Sequence, residues 1–405
     1  MSIERAVNLD DVRLLAKRYL PKIAFDFIEG GVDDERCLHR NREAFERYSI
    51  VPRYLVDVSS RDQTTTVLGK TYAHPFGISP MGLAGLFRPN ADLMLAEAAA
   101  ASNIPYLMSS ASNNSIEAAA KVAPKNTWFQ IYGARTDNIT MDLVRRAGDL
   151  GLSTLVVTVD VPVNSNRERN KRNGFSRPPK MRPAILLEAL GHPAWLYRYF
   201  REGGLPLMQN WVPYAPHGAD AGAVADLYGT LTPAPSVNWA TLERVRAMWG
   251  GTLAVKGILH PEDAVRAVDA GANAIIVSNH GGRQLDVAPS PLEMLPAIRN
   301  AIGERAELIF DSGIRRGSDV IIALSLGARS VLFGRPPLYG AAAAGTRGVT
   351  HVIDILSREI DTVMTQIGCT RLGLLGPHSL LSRGREQTSA QEYPPAAAGR
   401  HAIDG

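Results

Sequence analysis

The sequence predicts an α/β protein: one (β/α)8 TIM barrel with a helical segment ahead of it and a long insertion after the fourth strand. Three observations carry that expectation. From residue 76 onward, eight short β-rich runs each end in polar or glycine residues. Stretches of helical period separate them. Three of the helices hand over through glycine, at Gly151, Gly271 and Gly327, as a left-handed helix cap requires.

In chain order, residues 1–50 form the helical segment, opening with MSIERAVNLDDVRLLAKRYL, which is charged and lacks the apolar centre of a signal peptide. The runs are FGIS (76–79), YLMS (106–109), TWFQIY (127–132), TLVVTVD (154–160), TLAVK (252–256), AIIVSNH (274–280), ELIFDSG (307–313) and SVLFGR (330–335). Between them lie the helix candidates ADLMLAEAAAA (91–101), MDLVRRAGDL (141–150), PEDAVRAVDA (261–270) and SDVIIALSL (318–326). Strands alternating with helices imply parallel βαβ units with right-handed crossovers. An open doubly wound sheet is the competing architecture, but no GxGxxG follows the first strand.

Composition narrows the function classes. With 45% hydrophobic and 21% charged residues, the chain has ample material for a core. Its net charge of +4 is scattered rather than gathered in basic blocks, which argues against nucleic acid as a partner. Cys37 and Cys369 are the only cysteines, so neither a disulfide framework nor a metal site is indicated, and a reducing cytoplasm is the simplest setting. No run approaches the ~20 apolar residues of a membrane-spanning helix.

A barrel gathers its chemistry where its strands end. The endings here supply Ser79, Ser109, Gln130, Tyr132, Thr158, Asp160, Lys256, Ser278, His280, Asp311, Gly334 and Arg335. Lys256 and Asp311 stand out, because charged groups ending apolar strands must be paired or solvated. The last two loops, DSGIRRGSD (311–319) and FGRP (333–336), put Gly313, Arg315, Gly334 and Arg335 where barrels commonly hold a phosphate. FMN, pyridoxal phosphate and a sugar phosphate all suit that corner. The stretch SNHGGRQLD (278–286) sets a histidine and an arginine around two glycines directly after a buried strand.

Together, SNHGGRQLD, VKG (255–257), DSGIRRGSDV (311–320) and FGRP resemble the FMN-dependent 2-hydroxy acid oxidase and dehydrogenase family, in matching order and spacing from about residue 10 to 375. LPK (20–22), EGG (29–31), SASN (110–113), NSNRERN (164–170) and RPPLYG (335–340) bring the resemblance closest to its mandelate dehydrogenase branch. The resemblance implies FMN as cofactor, a small 2-hydroxy acid as substrate, a quinone or O2 as electron acceptor, and a homotetramer. It makes His280 the base, oriented by Asp160. Arg167 and Arg283 grip the substrate carboxylate, Tyr132 lies near its hydroxyl, and Lys256 lies beside the flavin. Ser109, Gln130, Thr158 and Ser278 contact FMN, with Pro80, Met81 and Gly82 close to it. Asp311, Gly313, Arg315, Gly334 and Arg335 hold its ribityl phosphate. The chemistry is consistent: oxidising a 2-hydroxy acid requires a base, a carboxylate clamp and an electron sink.

One position departs from the family pattern. Phe27 stands where many members carry tyrosine, removing a hydroxyl and making the pocket more apolar. With the small residues Gly82 and Ala111, this suits an aryl substrate such as (S)-mandelate; a lactate- or glycolate-type oxidase is the alternative. A third reading makes Lys256 the Schiff-base lysine of an aldolase-type barrel. The insertion, about 175–237, contains PAILLEALGHPAWLYRYFREGGLPLMQNW (183–211) preceded by RPPKMR. Residues 176–215 of it suit a peripheral membrane contact, on the inner face of the cytoplasmic membrane, or a lid or subunit contact packed on the barrel. The barrel domain is expected to end near 381, and the tail from 382 to be disordered.

Overall fold

The computed structural model describes residues 2–175 and 183–383. Its barrel strands are β1 (Phe76–Ile78), β2 (Tyr106–Ser109), β3 (Thr127–Tyr132), β4 (Thr154–Thr158), β5 (Thr252–Ile258), β6 (Ala274–Val277), β7 (Glu307–Asp311) and β8 (Ser330–Phe333). They pair in parallel and in sequence order. The ring closes where Val331 of β8 aligns with Phe76 of β1. Each strand begins where its run was expected. Five end earlier, because the polar residues that finish those runs belong to the loops at the barrel mouth; β5 runs two residues further, to Ile258.

The expected helices are present as Ala91–Ala101, Asp137–Asp149, Pro261–Asp269 and Gly317–Ser325. Gly151, Gly271 and Gly327 follow their ends with φ of +69°, +91° and +106°, a conformation that a Cβ disfavours.

The other end of the barrel is plugged. A hairpin of Thr65–Val67 and Lys70–Tyr72 carries Val67 and Tyr72 into one cluster with Leu107, Trp128, Val156, Ile276, Ile309 and Leu332 from the barrel interior. Trp128 Nε1 donates to the Tyr72 hydroxyl at 3.1 Å, which satisfies both polar groups in a buried site. With one end closed, a ligand enters from the strand C-termini.

The N-terminal segment forms helices Leu9–Tyr19, Lys22–Glu29 and Arg36–Glu46. A short strand, Tyr48–Ile50, then pairs antiparallel with Leu380–Ser382, and the Arg383 N–H donates to the Arg47 carbonyl. This pairing reaches Arg383. Of the tail whose disorder was expected, residues 384–405 lie outside the described residues, as do 176–182 with the RPPKMR segment.

Candidate active site

A cavity of about 420 Å³ opens at the mouth of the barrel. Its wall includes Tyr132, Arg167, Lys256, His280, Arg283 and Arg315, drawn from the loops and ends of five different strands. Pro80, Met81, Gly82, Phe27 and Ala111 also face it. Ser109, Gln130, Thr158 and Ser278 do not line it. They are buried polar side chains at and just beyond the same strand ends.

His280 begins the turn after β6 and has φ of +59°, a left-handed conformation uncommon outside glycine and found preferentially at functional sites. Gly281 and Gly282 continue it at +68° and +74°. A Cβ on Gly282 would stand 2.6 Å from the Leu38 backbone N, and at Gly281 the positive φ itself disfavours a side chain. The turn is stitched from below. Asn279 and Asn41 exchange side-chain amide bonds at 2.6 and 2.8 Å, while Gly282 N–H donates to Asn279 Oδ1 at 3.1 Å.

His280 Nδ1 lies 2.9 Å from Asp160 Oδ1. A carboxylate there holds the tautomer protonated on Nδ1 and leaves the Nε2 lone pair as the basic site. Burial lowers the His280 pKa below its ordinary value of 6.5; Asp160 pulls against this, and Lys256 and Arg167 reinforce it. The Tyr132 and His280 rings stack with centroids 6.3 Å apart.

Asp160 is itself positioned by Gly257. That residue has φ of +101°, sits at a register irregularity between β5 and β6, and would drive a Cβ to 2.6 Å from Asp160 Cβ.

Lys256 and Asp311 form a buried ion pair, Nζ to Oδ2 3.0 Å. Lys256 also donates to Ser278 Oγ at 2.9 Å; Ser278 and Ser79 each donate to Asp311 at 2.6 Å. Burial disfavours the Asp311 carboxylate, but Lys256 and the two serines outweigh it and hold its pKa below the ordinary value. Asp311 thus reaches toward Lys256.

The two arginine pairs differ in surroundings. Arg283 Nη1 donates to the carbonyls of Phe27 and Gly30, both at 2.8 Å, with its guanidinium carbon 5.1 Å from the Phe27 ring centroid. Arg335 donates to the carbonyls of Ile28, Gly281 and Gly30, so both arginines tie the end of helix Lys22–Glu29 to the barrel mouth. Arg167 Nε donates to Ser165 Oγ at 3.1 Å and Nη2 to Gln284 Oε1 at 3.3 Å. Arg315 Nη1 meets the carbonyl of its neighbour Ile314 at 2.8 Å. Burial, reinforced by Arg335 and Arg42, lowers its pKa against the pull of Tyr339 and Glu29.

These features fit a flavin nucleotide. Gln130 Nε2 and Thr158 Oγ1 are buried and lack a hydrogen-bond partner within the protein, an expensive arrangement unless a ligand completes it. Ser109 Oγ donates to Gln130 Oε1 at 2.9 Å, which orients the amide. Arg315 faces the cavity beside Gly313 and Gly334, and a Cβ on Gly313 would lie 2.5 Å from the Asn41 carbonyl oxygen. A cationic corner with close-packed backbone suits a phosphate.

The FMN-dependent dehydrogenase model matches residues 16–382. The chain belongs to the FMN-dependent dehydrogenase family. It is 40% identical over 386 residues to (S)-mandelate dehydrogenase from Pseudomonas putida, covering 95% of this chain and 96% of that one. It is also 40% identical over 375 residues to L-lactate oxidase from Nostoc sp., covering 92% and 97%. Among solved structures, that of the monotopic membrane protein (S)-mandelate dehydrogenase superposes with a TM-score of 0.90 at 40% identity, over 93% of this chain and all of the other. The family member is an FMN flavoprotein and an oxidoreductase acting on 2-hydroxy acids. Membership displaces the aldolase reading of Lys256, whose ammonium is engaged by Asp311 and Ser278.

Several neighbours were not predicted as site residues. Phe175 packs on Phe27 with centroids 4.7 Å apart, and Phe87 lies 6.0 Å from Phe27 on another side. Phe175 sits in an irregular segment with no periodic signal to single it out. Ser79 was visible as a strand ending. The Gln284 and Asn279 contacts cross more than a hundred residues of sequence, which local patterns do not register.

Proposed function

We propose that the protein oxidises an aryl 2-hydroxy acid of the (S)-mandelate type to the 2-oxo acid. The observation that carries this is the apolar wall of Phe27, Phe87 and Phe175 beside the small residues Gly82 and Ala111. Phe27, Phe87 and Ala111 are buried, and all five residues line the same cavity as His280. A phenyl ring gains by burial against such a wall, whereas a methyl group covers little of it.

Arg167 and Arg283 bind the carboxylate, and their separate loops fix the substrate at two sides. Tyr132 meets the substrate hydroxyl. His280 Nε2 accepts a proton from the substrate, and Asp160 stabilises the imidazolium formed. When bound, FMN supplies the acceptor for the electron pair that leaves the substrate. Gln130, Thr158, Ser109 and Ser278 would contact it, with Pro80, Met81 and Gly82 close by. Lys256, paired with Asp311, would place positive charge beside the ring, and Gly313, Arg315, Gly334 and Arg335 would hold the phosphate end.

The electron acceptor is a membrane quinone, with O2 the alternative, and the enzyme sits peripherally on the inner face of the cytoplasmic membrane. Helices Pro183–Leu190 and Pro193–Arg201 support this: Leu187, Leu190, Tyr197 and Phe200 are exposed beside Arg198 and Arg201. No helix among the described residues is long and apolar enough to cross a membrane. A homotetramer follows the family resemblance, and light scattering of the purified protein reads it directly.

Steady-state rates with a dye acceptor test the substrate. The reading requires kcat/KM for (S)-mandelate to exceed that for (R)-mandelate, L-lactate and glycolate. A preference for L-lactate or glycolate would transfer the chain to the small-acid branch. Phe175→Ala is expected to raise KM for mandelate several-fold while leaving that for lactate within about twofold, in keeping with the loss of ~1–2 kcal/mol of aromatic contact.

A further inference from the structure

We propose that Gln284 is a positioning residue that locks the carboxylate-binding arginine to the histidine–aspartate dyad. Its side-chain amide bridges two loops. Oε1 accepts from Arg167 Nη2 at 3.3 Å, and Nε2 donates to the main-chain carbonyl of Asp160 at 3.1 Å. Arg167 lies on the loop after β4 and Gln284 on the loop after β6, four residues beyond His280 and next to Arg283.

The physical need is specific. Arg167 has a long side chain on the last residue before a five-residue helix, in the stretch that opens the insertion. Asp160 lies seven residues earlier in the same loop, so its carboxylate could align His280 while Arg167 swung away. The Gln284 amide removes that freedom by joining Arg167 and Asp160 to one group anchored in the base's own loop. Ser165 Oγ, at 3.1 Å from Arg167 Nε, holds the guanidinium at a second point. The distance between carboxylate grip and base is thereby set by the protein before substrate arrives. A displacement of about 1 Å in such geometry costs about a hundredfold in rate. The amide supplies both an acceptor and a donor: a carboxylate could not donate to the Asp160 carbonyl, and an apolar side chain could do neither.

This inference rests on the proposed function, so the test is arranged to separate the two. Anaerobic reduction of the bound flavin is followed in the wild type, Gln284→Met, Arg167→Met and the double variant. (S)-Mandelate and its neutral methyl ester serve as substrates, and the FMN spectrum of each variant checks folding. Gln284→Met is expected to retain FMN, raise the apparent dissociation constant for mandelate about tenfold and leave the ester within about twofold. The double variant should match Arg167→Met, because a group acting through Arg167 has nothing further to lose. Equal losses on mandelate and ester, or losses that multiply in the double variant, would overturn the positioning role. A wild type whose flavin no 2-hydroxy acid reduces overturns the proposed function, and the positioning role with it.

Discussion

His280 concentrates the residue-scale consequences. Burial disfavours its imidazolium first of all, so its folded-state pKa lies below 6.5 despite Asp160. The neutral base therefore persists below pH 6.5, and the acid limb of the kcat/KM profile is expected below that value in stopped-flow flavin reduction. Stability follows the same sign. Below pH 6.5 the unfolded chain takes up a proton that the folded chain resists, so His280 costs nothing above that pH and destabilises the fold progressively as pH falls. His280→Gln should keep its flavin and lose about 10²–10⁴-fold in kcat. The buried pair behaves differently: Lys256→Met would strand the Asp311 carboxylate, with an expected cost of about 3–5 kcal/mol in urea unfolding of the flavin-free protein. Loss of under about 1 kcal/mol would mean that Ser79 and Ser278 satisfy Asp311 unaided.

Among the elements, the turns after the strands carry more of the site than the strands do. Gly257 holds Asp160 in place through a φ of +101° and a close approach that no Cβ allows. Gly257→Ala is expected to cost at least ~2 kcal/mol and to disturb the acid limb of the pH profile through misplaced Asp160. Asn279→Ala, which leaves Asn41 and the Gly282 N–H without their buried partner, is expected to cost about 2–4 kcal/mol. The strands were legible because apolar runs ending in polar residues have one economical use in a parallel barrel, and Gly151, Gly271 and Gly327 marked the handovers. Their ends were less legible: in AIIVSNH the strand stops at Val277, since Ser278 turns its hydroxyl to Asp311 and His280 adopts a left-handed backbone. Candidate residues at strand ends were similarly visible, whereas Gln284, Asn279 and Phe175 act through partners far away in sequence.

For the molecule as a whole, the insertion has two faces. Trp195 donates to the Leu86 carbonyl at 2.9 Å, Trp211 to that of Ser110 at 3.0 Å, and Ala189, Trp195, Tyr199 and Met208 line the cavity. Leu187, Leu190, Tyr197 and Phe200 point outward. One side of helices Pro183–Leu190 and Pro193–Arg201 therefore meets the barrel mouth, and the other carries exposed apolar side chains. Replacing Leu187, Tyr197 and Phe200 by serine should reduce flotation with anionic vesicles severalfold while sparing flavin reduction; unchanged flotation would remove this face as the contact. Composition could not separate the two faces, because which side of a short helix meets the barrel depends on tertiary packing.

Transfer of electrons from an aryl 2-hydroxy acid to the barrel's own flavin is the step proposed above. Its most direct test is the visible spectrum of the purified holoenzyme mixed anaerobically with each enantiomer of mandelate. (S)-Mandelate is expected to bleach the flavin bands, and (R)-mandelate is expected to leave them unchanged. A yellow protein left unbleached by (S)-mandelate would contradict the substrate assignment, and a protein unable to take up FMN would contradict the cofactor site itself.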